Sequence, residues 1–275
     1  MSPTTSTSRP TQQQARDGKE ALGRVGLVGK GALYVIIGVL AIQLASGDGG
    51  SDAGSSGAIE WVASQPFGKF LLVALTVSLF ALAAWRLLDA VMGDPVEGSE
   101  ASDRAKYAVK GVVYVGLAIS ALTVTLANWD AGGDSGGGGG GGSQEQEAAA
   151  TILEWPAGQW IVGVLGLVII GYALYLVKQQ VVDQEYTERV PGSPDWVVTL
   201  GRAGYAARSV VFVLIGWFFV QAAVTYDPDE AKGLSGTLQE LAGEGWGQAV
   251  LWGVAVGLLA FGLFCLAEAR YRRSA

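Results

Sequence analysis

Arg24-Val-Gly26-Leu27-Val-Gly29-Lys30-Gly31-Ala-Leu-Tyr34 is written twice more along the chain, as Arg104-Ala-Lys106-Tyr107-Ala-Val-Lys110-Gly111-Val-Val-Tyr114 and Arg202-Ala-Gly204-Tyr205-Ala-Ala-Arg208-Ser209-Val-Val-Phe212. Each copy sets an Arg, a basic residue six later, a small residue next, and an aromatic three beyond. A second series follows the first: Pro66-Phe-Gly68-Lys69, Pro156-Ala-Gly158-Gln159 and Gly245-Trp-Gly247-Gln248. Thirteen residues after the reference glycine of each comes Ala81, Gly171 or Ala260, and then Trp85, Tyr175 or Phe264. Self-similarity of this kind marks a chain built from one supersecondary unit used repeatedly.

Each opening leads into an apolar run. The six runs are 31–45, 70–85, 111–127, 160–177, 209–226 and 249–267, which are 15 to 19 residues long and contain no proline. A bilayer core of about 30 Å needs roughly 20 helical residues. The shorter runs reach that length when the flanking Lys and Arg lie inside the helix and extend their charged heads to the headgroups. The expected fold is all-α: six transmembrane helices forming three tandem hairpins. Two spans per copy give every copy the same orientation, so the copies are expected around a pseudo-threefold axis along the membrane normal. The inverted-repeat plan of many transporters is excluded on the same ground.

Repeat 1 is read over residues 21–93, with helices near 25–45 and 67–89. Repeat 2 covers 101–183, with helices near 107–127 and 158–178 and a flexible loop at 130–147 that holds seven consecutive glycines. Repeat 3 covers 199–273, with helices near 205–226 and 247–268. Residues 1–20, rich in Ser, Thr, Gln and Pro, read as a disordered tail. Short amphipathic helices are expected at 58–63, 148–153 and 237–241.

Lys and Arg fall overwhelmingly on the side of the chain termini: 16 there, against only Lys69 and Lys232 opposite. By the positive-inside rule both termini are cytoplasmic and the protein is a multi-pass cell-membrane protein. Trp61, Trp129, Trp155, Trp160, Trp246 and Trp252 collect near the other boundary as an aromatic belt.

Half of the 275 residues are apolar and 16% charged, the net charge is −7, and there is no histidine. The acidic balance argues against nucleic acid, and the missing imidazoles remove most zinc, haem and general-base chemistry. The one cysteine, Cys265, lies in an apolar run and reads as a packed side chain. Glu154, Glu240 and Glu244 have no spacing that sets an acid against a base. No catalytic residue, metal or cofactor is expected.

The residues singled out are basic. Lys30, Lys110 and Arg208 enter their helices in register, with Arg24, Arg104 and Arg202 one to two turns before them. Ionisable groups at such depth are costly and often functional, and a basic ring favours an anionic lipid headgroup or small anion. The competing reading is an ion pair within each hairpin, with Asp89, Gln179 and Glu268 at the matching depth and Asp183 one turn on. Small residues, among them Gly23, Gly26, Gly29, Gly163, Gly166, Gly253 and Gly257, read as helix-packing contacts.

The Arg-x-Gly opening, Gly38 and Gly216 in midhelix, and the Pro-x-Gly start of the second helix resemble the domain of unknown function 1206 family, bacterial membrane proteins with three two-helix repeats. The resemblance spans about residues 16 to 270 and implies the same six-helix fold but no activity. Repeat 2 departs from its pattern at Lys106 and Ala118, where glycine is preferred, and repeat 3 has Ser209 for glycine and lacks the proline. The expected role is non-enzymatic interaction with lipid or with another membrane protein. The alternative is a small-solute or ion carrier or channel, although the Pro-x-[Asp/Glu]-x-x-[Lys/Arg] signature of mitochondrial carriers is not present.

Overall fold

The computed structural model describes residues 10–47, 58, 61–62, 68–93, 100–130, 149–153, 155, 157–245 and 247–272. The glycine run and the first nine residues lie outside that set. Among the described residues there are no strands. The six long helices are α1 (Pro10–Ser46), α2 (Gly68–Met92), α3 (Ala101–Asp130), α4 (Gly158–Leu176), α5 (Asp195–Thr225) and α6 (Gly247–Tyr271). All six are long and apolar enough to cross a membrane. Their continuity follows from proline-free interiors, because an interior proline would remove a ladder hydrogen bond. Gly47 (φ 80°) and Gly93 (φ 78°) end α1 and α2 in the left-handed conformation that suits glycine.

The helices are longer than the apolar runs alone. α1 begins at Pro10, well inside the stretch read as a disordered tail, and it runs through Arg24 and Lys30 without a break. The 25 residues of α2 span about 37 Å at 1.5 Å per residue, enough for the bilayer core with some to spare. Lipid-facing side chains such as Phe70, Trp160 and Val224 are three-quarters exposed.

In section the helices pack in the order α3, α2, α1, α6, α5, α4. Successive repeats meet through the second helix of one and the first helix of the next, and the contacts recur at equivalent positions. A methyl group added at Gly38 on α1 would lie 2.7 Å from the Leu259 backbone nitrogen on α6, and one at Gly216 on α5 would lie 2.7 Å from the Ile170 side chain on α4. Leu259 and Ile170 are the same position of the repeat. Likewise Gln248 Nε2 donates to the Ala45 carbonyl (3.2 Å) and Gln159 Nε2 donates to the Ala223 carbonyl (2.7 Å), tying α6 to α1 and α4 to α5. At the interface between α2 and α3, the Thr76 and Thr125 hydroxyls are 3.1 Å apart, while Ser78, Thr123, Thr125 and Ser209 donate to carbonyls one turn back on their own helices.

Within the repeats the three hairpins differ. In repeat 1, Gly26 approaches Leu82 so closely that a Cβ would sit 2.6 Å from its Cα, and Gly23 lies under the Trp85 ring. In repeat 3, Gly204 and Gly201 meet Phe261 and Phe264 in the same way. The equivalent positions in repeat 2 are Asp103 and Lys106. Lys106 Nζ bonds Asp103 Oδ1 (3.1 Å) and stands 5.7 Å from the Tyr175 ring centre on α4. With side chains in place of glycines, the backbones of α3 and α4 stay apart: among the described residues the two helices do not pack along one another.

Of the expected short helices, 237–241 falls within a helix at Leu234–Gly243. Residues 149–153 are helical, and 58 and 61–62 are the helical part described near the first. Gly253 does not pack: nothing lies within 4 Å of a methyl group added there, whereas Gly257 meets Ala207.

Candidate functional site

The end of the bundle that carries most of the Lys and Arg holds two kinds of buried or half-buried cation. The first kind faces a carboxylate. Asp89, fully buried, accepts from Arg86 one turn away on α2 (3.3 Å), and Arg86 lies 4.3 Å from the Trp85 ring centre. Glu268, 2% exposed, receives Arg272 from just past the end of its own helix (3.0 Å) and Arg189 from the α4–α5 connection (3.7 Å). Removing one member of such a buried group leaves charge without compensation, which is why these clusters hold helices together.

The α4–α5 connection is itself a built lobe. α4 continues as a π-helical turn, Val177–Val182, and then a 3-10 turn, Glu185–Arg189. Tyr186 is completely buried, and its hydroxyl donates to the Val198 carbonyl (2.6 Å) while its ring packs on Tyr205 and Phe264. Burial pushes the Tyr186 phenol up from its ordinary pKa, with Arg202 pulling the other way. Arg189 completes the lobe by donating to Gln180 (3.1 Å) and to the Tyr205 hydroxyl (2.7 Å).

The second kind of cation has no carboxylate partner among the described residues. Lys30 on α1 is 9% exposed, and its ammonium lies 5.0 Å from the Phe261 ring centre. Arg208 on α5 approaches the same ring at 5.3 Å and Phe212 at 5.1 Å, and its Nε is buried without a hydrogen-bond partner. Among the described residues no carboxylate pairs with either. Tyr114 and Tyr205 lie within electrostatic reach of both cations, and Tyr34 and Tyr172 within reach of Arg208. Aromatic faces return about 0.5–2 kcal/mol per contact. Like charges several ångströms apart repel by roughly 2–4 kcal/mol at an effective dielectric near 20, and desolvating each cation costs several more. The pair is under-compensated by the protein itself.

The remaining basic candidates are placed differently. Lys110 is half-buried and lies 5.9 Å from the Tyr107 ring centre. Arg24, Arg104 and Arg202 are exposed, as is Asp183, and Gln179 is half-buried. The expected hairpin ion pairs therefore take another form: Glu268 is satisfied by Arg189 and Arg272 rather than by Arg208, and Asp89 by Arg86 of its own helix. Three contributors lay outside the sequence reading. Arg189 comes from a connection with no repeat counterpart, and Phe261 and Tyr172 occupy the repeat position that is Leu82 in repeat 1. Their signal was the clustering of aromatics at the register of the cations.

Cys265 is buried beside Lys30. At the opposite end Lys232 bridges Glu240 (2.8 Å) and Glu230 (3.9 Å), and Gln221 donates to Glu230 (3.0 Å). Glu154, Trp246 and the side chain of Trp129 lie outside the described residues. No three His, Cys, Asp or Glu among the described residues are grouped to hold a metal ion.

Six apolar spans in tandem hairpins define a multi-pass helical membrane protein. The family model "Domain of Unknown Function (DUF1206)" matches three tandem segments, residues 25–93, 105–181 and 203–272. The chain belongs to that family. It is 29% identical over 269 residues to "Uncharacterized protein YxxB" of Bacillus subtilis (strain 168), covering 95% of this chain and 94% of the other. No solved structure matches.

Proposed function

We propose that this protein is a non-enzymatic binding protein of the cell membrane that holds an anionic group, such as a phosphate or carboxylate headgroup, between Lys30 and Arg208. One observation carries the reading. Two cations converge on the Phe261 ring with no carboxylate partner among the described residues, while at the same end of the bundle Arg86 faces Asp89, and Arg189 and Arg272 share Glu268. An anion between them supplies the missing charge and the hydrogen-bond acceptor for Arg208 Nε. The charge asymmetry of the sequence orients this end, with both termini, toward the cytoplasm, and the recurrence of the inter-repeat contacts supports a pseudo-threefold axis along the membrane normal.

Native mass spectrometry of the purified protein tests the reading. The parent is expected to retain anionic lipid or another anion, and Lys30→Gln combined with Arg208→Gln to lose it. Arg24→Gln with Arg202→Gln, at exposed positions, is expected to keep it. Equal retention by both double variants would overturn the proposal.

A further inference from the structure

Access to the cation pair is unequal around the bundle. From the water side, the α4–α5 lobe covers the approach: Tyr186 fills the space against Tyr205 and Phe264, and Arg189 is locked to Glu268 and to the Tyr205 hydroxyl. Tyr205 stands between that cover and the cations, 5% exposed and packed edge-on against Phe261 (5.1 Å). Among the described residues, helix packs along helix around the sides at every neighbouring pair except α3 and α4.

That one unpacked side leads to the pair. Tyr114 on α3 and Tyr172 on α4, one from each helix flanking the opening, both lie near Arg208. Tyr172 also meets Phe212 edge-on at 5.8 Å. At the basic end Lys106 reaches over Tyr175 and narrows the opening there, so the open stretch lies farther along the helices, at the level of the bilayer. One turn from Tyr175 on the same side of α4 is Gly171, which is exposed and has nothing within 4 Å of an added methyl group. The cause is in the sequence: Asp103 and Lys106 stand where Gly23 and Gly26, or Gly201 and Gly204, close the other two hairpins.

We infer that the ligand of the Lys30–Arg208 site is an anionic membrane lipid that enters sideways between α3 and α4, with its headgroup on the two cations and its acyl chain in the opening. The inference rests on the proposed anion site and adds the class of ligand and its route. A lipid suits the geometry because the opening, past Lys106, lies at the level of the bilayer and leads to the two cations. A water-soluble anion would have to pass the Tyr186–Arg189 cover.

The test uses the full chain in nanodiscs of phosphatidylcholine, with phosphatidylglycerol titrated into the disc in one arm and inorganic phosphate added to the buffer in the other. Binding is read from the intrinsic fluorescence of the tryptophans or from lipid retained in native mass spectra. The parent is expected to bind phosphatidylglycerol and not phosphate. Gly171→Trp, which places an indole in the opening where the backbone has room for it, is expected to lower lipid occupancy about tenfold. Gly253→Trp, an equally open position on α6 away from the route, is expected to leave occupancy unchanged.

If Gly171→Trp binds as the parent does, the lateral route is wrong, while sensitivity to Lys30→Gln with Arg208→Gln would still uphold the anion site. Saturation by phosphate with no response to phosphatidylglycerol would overturn the lipid and keep the site. Absence of response in both arms would overturn both readings.

Discussion

Two clusters of buried positive charge lie within a few turns of each other at one end of this bundle, and they are built on opposite principles. Around Glu268, two arginines from different segments converge on one carboxylate. Around Phe261, a lysine and an arginine from different helices converge on one aromatic ring. The first arrangement gives both cations a carboxylate to bind and joins α6 to the α4–α5 lobe. The second gives its two cations no carboxylate among the described residues, which a protein tolerates when something else supplies the balance. Carboxylate placement, rather than cation placement, separates structure from site here.

The largest effect that would sharpen this contrast is expected from Glu268→Ala, which strands Arg189 and Arg272. A loss of about 3–5 kcal/mol in equilibrium unfolding in detergent is the expected cost. Arg189→Met removes one of the two partners and the hydrogen bond to Tyr205, and should cost about 1.5–3 kcal/mol by the same measurement. Losses near zero in both would mean that the Glu268 cluster does not hold the lobe. The smallest change in stability is expected from Asp103→Gly with Lys106→Gly, which gives repeat 2 the glycines of repeats 1 and 3. Replacing Asp and Lys by two helical glycines costs about 1 kcal/mol in propensity, offset by the new packing of α3 on α4. The readout is a spin-label distance between these helices, which should shorten. An unchanged distance would show that Asp103 and Lys106 are not what keeps the hairpin open.

Much of this architecture is legible in the sequence because packing at close range demands glycine and the repeat states that demand three times. Gly26 reads as a packing residue and does touch the partner backbone, as Gly204 does at the equivalent position of repeat 3, and the departure at Lys106 already marks repeat 2 as different. Gly253 belongs to the same spacing pattern yet faces open space, because a small residue permits contact without compelling it. The first turns of α1 were misread because a polar composition rich in Ser, Thr and Gln looks like a solvated tail, although from Pro10 it continues the helix that the apolar run starts.

The candidate site was half legible. Register placed Lys30 and Arg208 at one depth, but partner choice was beyond it. Asp89 and Glu268 stand at the depth of the cations, and depth alone pairs them. Which pairs form depends on the direction each side chain takes around its helix and on a lobe, carrying Arg189, that has no counterpart in the other repeats. Tyr172 and Phe261 occupy one repeat position, yet only the fold brings both to the same guanidinium.

The central claim is that Lys30 and Arg208 are not there to stabilise the bundle. It is tested most directly by the thermal unfolding midpoint of Lys30→Met with Arg208→Met in neutral detergent without anionic lipid, measured beside Glu268→Gln. The double variant is expected to unfold no lower than the parent while Glu268→Gln unfolds well below it. A double variant that unfolds as early as Glu268→Gln would show that the pair is part of the framework, and the account would fail.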